Sequence, residues 1–140
     1  MSFSARNQLQ AEIVEVKTGV VNSLIVGKLK GGETVKATVT VDSEKALDLK
    51  VGKKVVYLFK ASSIIVAKGN NELKLSATNQ IKGKVVSVKE GAVNSEIDIK
   101  IAGEDKLSAI ITNESTKSLA LKAGDDVVAV IKASQIIIGA

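Results

Sequence analysis

The chain contains neither cysteine nor histidine. Their absence excludes disulfides, zinc or iron sites built on soft ligands, and any Ser-His or Cys-His nucleophilic device. Aromatic side chains are nearly missing too, with Phe3, Tyr57 and Phe59 as the whole set. A surface that stacks bases needs more, so nucleic acid is a disfavoured partner despite a formal charge of +5. No apolar run approaches the roughly 18 to 20 residues of a membrane-spanning helix. The opening MSFSARNQLQ has neither the apolar stretch nor the small-residue cleavage site of a secretory signal. These features predict a soluble, cytoplasmic protein with no membrane partner. There is also no helix-turn-helix pattern and no GxxxxGK[ST] phosphate loop. The carboxylates stand singly among lysines, so no catalytic activity is expected.

What is present is a repeat. A constant shift of 72 lays residue 4 onward over residue 76 onward without a gap, and roughly 45% of positions are identical. The 140 residues therefore divide into two units, 1–69 and 70–140. Units that small bury only about 60% of their unfolded surface and usually lean on each other or on partner chains. Charge is unevenly shared: residues 1–70 carry 11 basic and 6 acidic side chains, residues 71–140 carry 9 and 9. The matching islands go beyond the apolar positions of a core. They include Ser4-Ala5-Arg6-Asn7-Gln8 with Ser76-Ala77-Thr78-Asn79-Gln80, the Val-Lys-x-Gly-x-Val-Asn-Ser segments, and the Lys-Ala-Ser triplets at 60–62 and 132–134.

Periodicity gives each unit five short strands and one short helix between the third and fourth. First strands are expected at Ala11 to Lys17 and Gly83 to Lys89. Second strands follow the Gly-x-Val-Asn segments, with strict alternation over Glu96 to Ile101 that Gly27 blurs in the first copy. Third strands span Thr34 to Val41 and Lys106 to Thr112. Helices of barely two turns span Asp42 to Leu49 and Asn113 to Leu121, each stopping before a glycine, Gly52 or Gly124. Fourth strands cover Lys54 to Lys60 and Asp126 to Lys132, and fifth strands Ser63 to Ala67 and Gln135 to Ile138. The resulting fold class is all-β, two tandem OB-like five-stranded barrels. Turn chemistry at Lys68-Gly69-Asn70-Asn71 predicts a hairpin between the copies, flanked by Ile64-Ile65-Val66 and Leu73-Lys74-Leu75. That hairpin would pair the strand carrying Ser76 with the strand ending copy one. It would leave the strand carrying Ser4, and Ile136 to Ile138, as edges that invite assembly.

The ordered islands, together with Thr40 and Ser43 and with Thr112 and Ser115, resemble the molbindins, the Mop or TOBE-type molybdate-binding domains, in their tandem form. The resemblance spans essentially the whole chain. It implies storage or buffering of molybdate or tungstate, with no organic cofactor, in a ring of six domains made by a homotrimer. It also implies one class of oxyanion site at Ser4, Ala5, Arg6, Thr40, Ser43, Lys60, Ala61 and Ser62, with equivalents at Ser76, Ala77, Thr78, Thr112, Ser115, Lys132, Ala133 and Ser134. A second class would use Gly19, Val20, Val21 and Asn22, and Gly91, Ala92, Val93 and Asn94. Similar tandem domains also sit in molybdate-responsive regulators and transporter ATPases, so a sensing module acting through a separate partner is the alternative.

Residue chemistry agrees with this. A tetrahedral dianion accepts hydrogen bonds and donates none, so its pocket needs hydroxyls, backbone N–H groups and a cation, with no carboxylate near. The metal would arrive as the oxyanion, without side-chain ligation. Each residue also has a plainer role: Lys60 and Lys132 as solvated strand ends, Asn22 and Asn94 as turn formers, Ser43 and Ser115 as helix caps. Thr78 stands where the first copy has Arg6, which predicts tighter binding at sites using Arg6.

Overall fold

The computed structural model describes residues 4–69 and 75–140. Ten strands form two five-stranded sheets. The first repeat supplies β1 (Asn7–Thr18), β2 (Asn22–Leu29), β3 (Thr34–Thr40), α1 (Val41–Ala46), β4 (Lys54–Phe59) and β5 (Ile65–Lys68). The second supplies β6 (Asn79–Glu90), β7 (Asn94–Lys100), β8 (Lys106–Thr112), α2 (Asn113–Ser118), β9 (Asp126–Ile131) and β10 (Ile137–Gly139). Their order follows the expected five strands and one helix per repeat, with first strands that begin earlier than the apolar pattern suggested. Strand β1 alternates buried and exposed residues from Asn7 to Ile13, because every second side chain faces the core.

The fifth strands are exchanged. One sheet runs β10-β4-β1-β2-β3 and the other β5-β9-β6-β7-β8, so each repeat borrows its last strand from the other. Strand β10 pairs antiparallel with β4, placing Ile138 opposite Tyr57, and β5 pairs with β9, placing Val66 opposite Ala129. Strand β10 also lies beside β3, and β5 beside β8, so each sheet curls back toward itself as a partly open barrel.

This exchange corrects two expectations. β5 and β6 do not pair with each other; both flank β9. Asn70 and Asn71 of the expected turn, with Leu73 and Lys74, lie outside the described residues. The Ser4 segment is not an edge strand either. Ser4 to Arg6 precede β1, which is interior to its sheet between β4 and β2. The hairpin expectation assumed the shortest connection. A 3-10 turn at Ala61–Ser63, repeated at Ala133–Gln135, instead carries the chain to the opposite sheet, where the borrowed strand covers an otherwise open edge. Ile64, Val66, Ile136 and Ile138 thereby join one continuous core shared by both repeats.

Substitutions between the repeats compensate for one another. A Cβ on Gly27 would stand 2.8 Å from the Tyr57 ring. The second copy has Ile99 and Ala129 at the matching positions, so bulk has moved from one strand to its neighbour at nearly constant fill. Burial pushes the Tyr57 phenol far above its usual range, and the protonated hydroxyl donates to the Ile25 carbonyl at 2.9 Å. The ends of the two helices show a second exchange. Lys53 Nζ donates to the Leu47 carbonyl at 2.6 Å behind α1. Asp125 occupies the matching position behind α2, and Lys68 from the borrowed β5 reaches across to the Leu119 and Ala120 carbonyls and to Asp125. A cation thus meets both helix C-termini, where the helix dipole favours it.

Replacing Tyr57 with Ala should destabilise the protein by about 3 to 5 kcal/mol. Adding Gly27→Ile to that variant should restore part of the loss, with a coupling of about 1 to 3 kcal/mol in urea denaturation; strictly additive effects would contradict the compensation.

Candidate functional site

The site is positioned by two asparagines. Asn7 and Asn79, only 1% and 2% exposed, open β1 and β6. Each pairs its side-chain amide with the backbone of one residue on the opposite sheet. Asn79 donates to the Lys36 carbonyl and accepts from the Lys36 N–H, both at 2.8 Å. Asn7 does the same with Ser108, at 2.9 and 2.8 Å. A carboxamide carries one acceptor and two donors, so it can replace a strand partner at the outer edges β3 and β8. The sequence showed these asparagines only as part of a repeated island. Their paired repetition inside otherwise apolar alternation was the available signal.

Asn79 anchors Thr78 beside β3, and there the repeats form a cavity of about 240 Å³ lined by Thr38, Ser76, Ala77, Thr78, Lys132, Ala133 and Ser134. Six of these seven residues were predicted site residues of the second copy. Thr38, from the first copy, was not predicted, because linear spacing does not reveal which strand of the other repeat packs against the Ala133–Gln135 turn. The lining offers four threonine or serine hydroxyls and one ammonium, and no carboxylate. Such a set donates to an anion that has no proton of its own.

In the first copy, Ser4, Ala5 and Lys60 line a larger cavity of about 510 Å³ with Ser63, Ser134, Gln135 and Ile137. A related cavity of about 430 Å³ joins Ser76, Ala77 and Lys132 with Ser62, Ser63 and Ile65. Ser63 donates to Gln135 at 3.0 Å between them, and these two residues occupy matching repeat positions, which marks a local pseudo-twofold relation. Ala61 is buried, and the turn it begins packs against β8.

Arg6 departs from expectation. Its guanidinium forms an ion pair with Glu96 on β7, so a carboxylate stands beside a segment expected to have none. Lys89 also reaches Glu96, at 3.4 Å, and Asp98 at the same distance. Burial alone would raise the Asp98 carboxyl, but hydrogen bonds from Ser87 and Ser108, with Lys89 beside them, hold it below the usual range.

The structure separates Thr40, Ser43, Thr112 and Ser115 from these cavities. Thr40 caps α1 and accepts from the Ser43 N–H at 3.0 Å, while Thr112 caps α2 and accepts from Ser115 at 3.1 Å. The threonines, not the serines, are therefore the caps. Thr40 faces Asn22 across β3 and β2, and Thr112 faces Asn94 across β8 and β7, so both join the Gly-x-Val-Asn segments. There the Gly19 N–H donates to the Asn22 carbonyl at 3.0 Å, and Gly91 to Asn94 at 2.9 Å. A Cβ on either glycine would collide with that asparagine carbonyl. Val20, 98% exposed, and Val21 and Val93 project from these tips. Ser23, buried behind its tip, has no hydrogen-bond partner for its hydroxyl, whereas Ser95 donates to Asn113 at 2.5 Å. Among the described residues no cluster of His, Cys, Asp and Glu could hold a metal ion directly.

A profile of the TOBE domain matches residues 4–66 and 75–138. The chain belongs to the TOBE domain family. Its two TOBE units correspond to the two repeats, while the sheets they build are interleaved. The chain is 33% identical over 138 residues to the molybdenum-pterin-binding protein MopA of Rhodobacter capsulatus, covering 99% of this chain and 52% of MopA. It is 31% identical to the molybdenum transport protein ModE of Herbaspirillum seropedicae, covering 51% of ModE. It therefore spans about half the length of these relatives. A solved structure of the cytoplasmic molybdate-binding protein ModG, with molybdate bound, superposes with a TM-score of 0.96 at 36% identity, covering 99% of both chains. The tandem TOBE architecture and the exchanged topology are thus set in a fold that another protein of equal extent shares.

Asn79→Ala should leave the Lys36 N–H and carbonyl unpaired, at a cost of about 1 to 3 kcal/mol for each buried group left unsatisfied. Hydrogen exchange at Lys36 should accelerate more than at Ser108; equal protection at both would contradict the pairing.

Proposed function

We propose that the protein binds molybdate or tungstate and serves to store or buffer it in the cytoplasm, without a catalytic step. The observation that carries this is the cavity at Ser76, Thr78, Thr38, Lys132 and Ser134, rich in donors and free of lining carboxylates. Hydroxyl and ammonium donors suit a fully deprotonated tetrahedral dianion. Hydrogen phosphate would bring a proton that finds no acceptor carboxylate there. Charge-assisted hydrogen bonds contribute about 1.5 to 3 kcal/mol each, and micromolar affinity needs about 8 kcal/mol, so four to six contacts suffice. The ModG and Mop relatives bear names that agree with this ligand.

In this reading the Ser4, Ala5, Arg6, Lys60, Ala61 and Ser62 cluster is the first-copy counterpart. The tips at Gly19 to Asn22 and Gly91 to Asn94, with Thr40, Ser43, Thr112 and Ser115 beside them, form a second class completed between chains. The exposed valines at the tips, and the exposed Ile65 and Ile137, favour self-association, and a homotrimer would place six TOBE units in one ring. The repeat boundary near residues 69 and 70 marks the units of duplication. No helix among the described residues is long and apolar enough to cross a membrane.

Lys132→Ala should weaken one class of molybdate sites by about 10-fold to 100-fold in calorimetric titration, from the loss of one charge-assisted contact. An unchanged titration, or a wild-type chain that binds no oxyanion, would refute the assignment.

A further inference from the structure

The two halves of the molecule differ at their anion-facing ends by two linked exchanges. Arg6 in the first repeat matches Thr78 in the second, and Glu96 in the second repeat matches Leu24 in the first. These four residues are not scattered. Arg6 reaches across the interface to Glu96. Glu96 faces Ile110 across β7 and β8, just as Leu24 faces Thr38 across β2 and β3. Thr38 lines the cavity beside Thr78, so its match, Ile110, marks the same place on the other side.

Each end therefore carries the same net charge by different means. The second-copy cavity has Lys132 as its cation and two threonine hydroxyls, and Leu24, opposite Thr38 on the neighbouring strand, stands where the other repeat has Glu96. The first-copy end has Lys60 and Arg6 against Glu96, and an isoleucine in place of one hydroxyl. Glu96 is 16% exposed on its side chain and is held also by Lys89, whereas Arg6 is 58% exposed. The carboxylate is the more buried and more heavily contacted member of the pair, and the guanidinium the more exposed one.

Resting on the oxyanion reading above, we propose that Glu96 determines the ranking of the two ends, by occupying Arg6 and by repelling a dianion from the first-copy end. The second-copy end, which lacks an arginine, is then the tighter one. This reverses the ranking that Arg6 alone predicts. An exposed ion pair is weak, so the restraint is modest and an anion at high concentration overcomes it. The arrangement spreads binding over two concentration ranges within one chain, which suits a buffer.

The test is a calorimetric cycle with sodium molybdate on the full chain, comparing wild type with Glu96→Gln, Glu96→Leu, Arg6→Thr and the double variant. Glu96→Gln keeps the shape of the side chain, and Glu96→Leu copies Leu24, so one is available if the other disturbs folding. Removing the carboxylate should tighten the weaker class on the order of five- to tenfold and leave the tighter class unchanged. Arg6→Thr alone should weaken the weaker class further, because it leaves the Glu96 carboxylate without its guanidinium partner, and it should cancel the gain in the double variant. Unchanged affinities in both Glu96 variants would overturn the proposal, as would equal tightening of every class, the mark of a general charge effect. A wild-type chain that takes up no molybdate would instead refute the oxyanion reading on which the proposal stands.

Discussion

Everything in this molecule depends on the fact that neither repeat completes its own sheet. Strands β4 and β9 would each present an open edge without β10 and β5 beside them, and open edges template unwanted pairing. The exchange satisfies both edges inside one chain and merges two marginal units into one core. The polar fasteners follow the same rule. Asn7 and Asn79 pair with the opposite sheet, Lys68 caps a helix of the opposite repeat, and Ser63 meets Gln135 across the local axis. Separating the repeats would break all of these together, so the duplicated chain is expected to unfold as one cooperative unit.

The proposed binding chemistry is a by-product of that interleaving. Ser76 and Thr78 precede β6, Lys132 opens and Ser134 lies within the turn that launches β10, and Thr38 lies on β3 of the other sheet. They converge because the asparagine pairing and the crossing turn bring those ends together. Duplication then allowed the two ends to diverge without loss of fold. The Gly27 and Tyr57 pair against Ile99 and Ala129 shows divergence in the core, and Arg6 with Glu96 against Thr78 with Leu24 shows it at the surface.

Much of this was legible from residues alone. The strand and helix order and the repeat follow from alternation and cap residues, while most of the cavity lining follows from the family resemblance that the repeated islands carry. What the sequence could not reveal was strand exchange, because local patterns specify which segments are strands and which faces are apolar, but not which of two equivalent sheets a strand joins. The position of Thr40 beside Asn22 was not legible for the same reason: its neighbours are set by the register of β3 on β2, a tertiary fact. The Arg6 ion pair was hidden because Glu96 sits about ninety positions away in the sequence, on a strand whose alternation looked merely structural.

Anomalous diffraction at the molybdenum edge from crystals grown with molybdate would test the central claim most directly, since it locates the metal without reference to the protein's fit. A peak is expected enclosed by Ser76, Thr78, Lys132 and Ser134 of the second repeat together with Thr38 of the first. Molybdenum found only away from the contact between the two repeats would contradict it.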